Sequence, residues 1–140
     1  MHRIFFLLTS GLLLLCCSSG PPIKTASGEL IDAFSYEERS PGSKDKDVRE
    51  VKLTGDRLRT AVGLMDRSGV SNMSGNYQST ERGDKDTLVL TISAAEGRQR
   101  KIVVTNCAEV HVCGFFAAAV KSEVVDKVPA VCRDNIRCAD

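Results

Sequence analysis

The 140-residue sequence predicts a mainly β, α+β domain: a small antiparallel sheet or partly closed barrel with a C-terminal helix stapled by two disulfides. Three observations carry this reading. Leu88, Leu90 and Ile92 alternate with Thr87, Val89 and Thr91, and "AAEGRQ" turns that run into "RKIVVTN", which reads as a hairpin with one apolar face. Four cysteines follow in two copies of one spacing, Cys107 with Cys113 and Cys132 with Cys138. Between the copies, Phe116, Val120, Val124 and Val128 recur at four-residue steps around Ala117, Ala118 and Ala119, with Pro129 as a stop. That spacing predicts a helix over 114–128, and a strand over 115–120 is its alternative.

The chain begins with a short basic start (His2, Arg3) and an apolar run from Ile4 to Leu15, shorter than the roughly 18 residues a spanning helix needs. Residues 1–19 therefore read as an export signal. The string "LLLLCCSSG" resembles the signal of bacterial lipoproteins, in which a cysteine after the apolar run is acylated and becomes the mature N-terminus. The resemblance covers only the first 20 residues and implies lipidation at Cys16 or Cys17 and a membrane anchor without a spanning helix. An ordinary signal peptide cut near Ser18 or Ser19 is the alternative, giving a free secreted protein.

Residues 20–28, "GPPIKTASG", read as a tether, because Pro, Gly and small polar residues offer no face to bury. A single domain is expected over 29–140. "LIDAFSY" predicts a strand over 30–36, and "ERSPGSKDKD" a charged loop. Val51 and Leu53, then "TGD", then Leu58, Thr60, Val62 and Leu64 at every second position predict a hairpin turning at Gly55 and Asp56. Residues 66–76 read as an exposed loop. The order of strands and the "GNYQS" segment are similar to small lipocalin-like barrels, a likeness of architecture that implies no activity.

Charge and cysteine chemistry bound the function. Arg3 is the only charged side chain in the signal, so the remaining Lys and Arg balance the 18 Asp and Glu, which argues against nucleic acid as a partner. Export puts Cys107, Cys113, Cys132 and Cys138 in an oxidising compartment, where an even number predicts two disulfides in any of three pairings. Zinc fits less well, since five residues between cysteines exceeds the usual two to four and export disfavours free thiolates. Beyond the signal His111 is the only histidine, and no nucleophile, base and orienter set, phosphate loop or cofactor fingerprint surrounds it. No catalysis and no cofactor are expected.

One segment suggests a sharper role. "CAEVHVCG" places His111, approached by Glu109, between Cys107 and Cys113. Over these residues the chain resembles the Ivy family of periplasmic lysozyme inhibitors, whose loop reads Cys-Lys-Pro-His-Asp-Cys. The resemblance implies a small disulfide ring that presents His111 to a carboxylate-lined cleft at low entropic cost. The alternative places His111 with Val110 and Val112 on a strand end, facing solvent. The sequence therefore predicts an envelope protein that acts by binding another envelope or extracellular protein, as a scaffold, exclusion, immunity or accessory factor. Inhibition of lysozyme or another hydrolase through His111 is its alternative.

Overall fold

The computed structural model describes residues 21–40, 48–79, 86–133 and 136–139. Cys16 and Cys17, the expected lipidation positions, lie outside the described residues. The chain is α+β. Strands β1 (Ile31–Arg39) and β2 (Arg49–Leu53) are followed by helix α1 (Gly55–Ser68), strands β3 (Gly75–Gln78), β4 (Thr87–Ala94) and β5 (Gln99–Thr105), and helix α2 (Val110–Lys121). The five strands form one open mixed sheet in the order β2-β1-β4-β5-β3. All pairings are antiparallel except β3 with β5, which is parallel.

Alternation in β4 and β5 sends Leu88, Leu90, Ile92, Ile102 and Val104 to one face, where all are buried. On β1 a register shift between Ile31 and Ala33 inserts one residue, so Ile31 and Phe34 both reach that face although three residues apart. The two helices supply the second layer. From α2, Phe115 and Phe116 meet Phe34 and Tyr36 edge-on at centroid distances of 5.6 and 4.9 Å, the geometry in which a ring's positive edge meets a negative face. The other face carries the rows Ser35–Thr91–Lys101 and Glu37–Val89–Val103, with no described helix over it. Among the described residues no helix is long and apolar enough to cross a membrane.

Several expectations are corrected. The second strand of the hairpin expected at Gly55–Asp56 is α1. Its buried residues Leu58, Ala61, Val62 and Met65 fall at helical spacing, whereas Thr60, needed by the strand reading, is exposed. Asp56 in the first turn, Arg67 in the last and Gly69 at φ 88 after the end are helix signals that the two-residue alternation concealed. The loop expected over 66–76 is the end of α1, a 3-10 turn (Val70–Asn72) and the start of β3. The tether is folded from Pro21 onward: Lys24 bridges Leu30, Thr25 is buried, and Asp66 on α1 accepts from Ala26 N–H at 2.9 Å. The sheet does not close as a barrel, because β2 and β3 end it as edges.

Helix α2 starts four residues before the expected span and stops seven residues before its end. It ends in a Schellman motif: Glu123 N–H bonds Val120 O at 3.1 Å, Val124 N–H bonds Ala119 O at 2.9 Å, and Glu123 takes φ 58. That left-handed position usually holds glycine, so the stop carries no composition signal. Val124 is buried as expected, but as the apolar residue that closes the cap rather than as a further helical turn.

Candidate functional site

The cysteines pair as Cys107–Cys138 and Cys113–Cys132, with Cα separations of 4.8 and 5.4 Å. The Cys107–Cys113 ring that would present His111 is not formed. Cys113 lies in the first turns of α2, and its side chain reaches the 3-10 turn Ala130–Arg133 instead. The strand-end placement of His111 is likewise replaced by the first turn of α2.

His111 and Glu109 both act on helix ends. His111 Nδ1 lies 3.0 Å from Ser68 O; a carbonyl only accepts, so this nitrogen carries the proton and donates to the last turn of α1. The approach depends on Gly69, where a Cβ would lie 3.4 Å from Nδ1. Glu109 is buried as the N-cap of α2, its carboxylate accepting from Val112 N–H at 2.7 Å. The outer face of His111 joins Leu64, Arg67, Gly114, Ala118 and Ser122 along a shallow groove of about 470 Å3 between the helices.

A second cavity lies at the β3 edge of the sheet. This cleft, of about 680 Å3, is bounded on one side by Asn76, Tyr77 and Gln78 and on the other by Ala108 to Val110 and Arg137 to Ala139. The second wall is tied in place. Arg137 bridges Ala108, Ala108 N–H bonds Ile136 O at 2.7 Å, Cys138 N–H bonds Ala108 O at 3.1 Å, and Cys138 is joined to Cys107 at the end of β5. Val110, 71% exposed at the start of α2, stands between the two cavities.

The backbone of β3 faces this cleft in a defined way. Ser79 N–H donates to Thr105 O at 3.2 Å, so residues 75, 77 and 79 turn their polar groups toward β5. The N–H and C=O groups of Asn76 and Gln78 consequently point to the free edge, and they have no backbone partner among the described residues. Tyr77 packs partly on the core, and its hydroxyl donates to Ser74 O at 3.2 Å.

Of the residues lining the cleft, the sequence marks Glu109 and Cys138 but not Asn76, Tyr77 or Gln78. "GNYQS" stands out only by its likeness to small barrels, and a four-residue strand with a glycine and two exposed polar side chains has no alternation to reveal it. Elsewhere, burial raises the Tyr36 phenol above its ordinary pKa, partly opposed by the charges of Arg49 and Arg57, and its hydroxyl is buried without a partner among the described residues. No group of three or more His, Cys, Asp or Glu among the described residues could hold a metal ion. Comparison with protein-family models, curated proteins and solved structures finds no match to this chain.

Proposed function

We propose that this is an exported, lipid-anchored envelope protein that acts by binding another envelope or extracellular protein, with the cleft beside β3 as its recognition surface. The observation that carries the reading is the build of that cleft. One wall is a strand edge unpaired among the described residues, and the other is a tail held by a disulfide and backbone hydrogen bonds. A preformed cleft keeps the ordering cost of binding low, and two disulfides suit an oxidising compartment. The ionisable side chains in its lining, Glu109, Arg137 and Tyr77, are engaged in a helix cap, exposed at a wall, and bonded to backbone. They form no nucleophile and base pair.

The test is intact mass after envelope fractionation, with native sizing of the detergent-extracted protein. An acylated N-terminus at Cys16 or Cys17, a four-hydrogen gain on reduction, and migration as a defined hetero-complex are the expected results. A soluble, unmodified monomer in native extracts would sink the reading. The lysozyme-inhibitor alternative would have to use His111 from a helix face rather than from a disulfide ring. Its direct test is lysozyme inhibition by the purified protein and by His111→Ala, which should lose it.

A further inference from the structure

We infer that the cleft takes an extended polypeptide segment carrying a carboxylate, added to β3 as a sixth strand of the sheet. This rests on the binding reading above and names the form of the partner. Outward N–H and C=O groups at Asn76 and Gln78 offer the ladder that an incoming strand completes. A strand added there lies about 4.8 Å from β3, and four or five residues span about 15 Å, a length in keeping with a cleft of 680 Å3.

The opposite wall selects this occupant over others. The tail over 136–139 forms the wall across the cleft from β3, so an occupant of the edge has to fit between the two. A second copy pairing edge to edge would have to bring its whole sheet against that wall. Side-chain chemistry then sets the preference. Arg137 lines the wall, is exposed, and has no ion pair among the described residues, so its planar guanidinium is placed for a carboxylate. Val110 and Tyr77 offer apolar contact to a neighbouring side chain of the same segment. Strand addition draws most of its affinity from main-chain bonds, so the cleft should tolerate varied sequences around the acidic residue.

The test is a titration of the exported, disulfide-bonded, 15N-labelled protein with a pool of end-blocked pentapeptides having Asp at the centre and mixed residues on either side. Two further pools carry N-methyl groups at alternate residues, one in each phase. The amide signals of Asn76 and Gln78 should move at up to about 1 mM peptide. One N-methyl phase should weaken binding on the order of tenfold, because it removes the N–H groups facing β3, while the other phase leaves it nearly unchanged. Gln78→Pro removes only an outward N–H and spares the bonds to β5, so it should fold with both disulfides and lose binding on the order of tenfold. Arg137→Gln should weaken binding several-fold.

Absence of any shift, equal binding of all three pools, or wild-type binding by Gln78→Pro would each overturn the inference. So would dilution-dependent dimerisation that shifts the same amides without peptide, which would make the occupant a second copy. If Gln78→Pro fails to form its disulfides, the N-methyl comparison decides alone. A hetero-complex in native extracts that persists in Gln78→Pro would retain the binding reading and reject strand addition.

Discussion

Removing the Cys107–Cys138 bridge, as Cys107→Ala with Cys138→Ala, should release the far wall of the cleft while leaving the sheet and both helices folded. Without the bridge, the tail keeps backbone hydrogen bonds at 2.7 and 3.1 Å, the partial burial of Ile136 and a further interaction of that residue. The two bonds are worth at most about 3 kcal/mol together, and partial burial of one isoleucine adds roughly 1 kcal/mol. Ordering the four residues 136–139 costs about 4–8 kcal/mol, so the released form competes with or outweighs the docked one. Hydrogen exchange read by NMR checks this residue by residue. The amides at positions 108 and 138 should lose protection, while those of Leu90 and Ile102 in the middle of the sheet keep theirs. Global stability in urea should fall by up to about 3 kcal/mol, because the nested Cys113–Cys132 bridge, of separation 19, shortens the loop of separation 31 that the removed bridge closes in the unfolded chain. Unchanged protection at 108 and 138 would refute the reasoning, because the tail would then be held by something other than its bridge. Loss of protection across β4 and β5 would refute it in the other direction.

Four other substitutions address the caps and the buried hydroxyl. His111→Ala removes the bond to Ser68 O and should cost about 1 kcal/mol by thermal or urea unfolding, with both disulfides still formed. Gly69→Ala forces a side chain into the left-handed region at φ 88, beside the His111 ring, and should cost more, about 1–2 kcal/mol from backbone strain alone. Glu123→Gly relieves the same strain at φ 58, partly offset by the greater freedom of glycine in the unfolded chain, and should be neutral or stabilising by up to about 1 kcal/mol. Tyr36→Phe deletes a buried hydroxyl with no partner among the described residues and should be neutral or stabilising in neutral solution. It should also change the alkaline limb of stability. The folded-state pKa of Tyr36 is raised, so above pH 10 the unfolded chain loses this proton while the folded one keeps it. The wild type therefore loses up to about 1.4 kcal/mol per pH unit from this group until the folded pKa is passed, and Tyr36→Phe should lack that contribution.

Local pattern was enough for part of the fold. The β4–β5 hairpin and the first strand announce themselves by alternation, because one face of each is buried against helices and the other is not. A helix was expected between the two cysteine pairs, and one is there, displaced toward Cys107 because its stop is set by the backbone of Glu123 rather than by Pro129. Helix α1 reads as a strand because Leu58, Val62 and Leu64 satisfy a two-residue step over a short window. Ala61 and Met65, which break that step, complete the helical one. The longer window was the informative one.

Composition and spacing alone determined a small α+β chain with an apolar start, balanced charge and an even set of four cysteines beyond residue 20. Which cysteines meet, and what His111 and the β3 edge face, were decided by tertiary structure. Sequence spacing made Cys107–Cys113 and Cys132–Cys138 the nearest neighbours. Placing Cys113 on a helix packed against the sheet turned its side chain toward the 130–133 turn and left Cys107 to the tail. The same packing put His111 over the end of α1, and the parallel pairing of β3 with β5 joined segments 27 residues apart. Contacts of that range depend on how elements stack, and no local periodicity encodes the stacking.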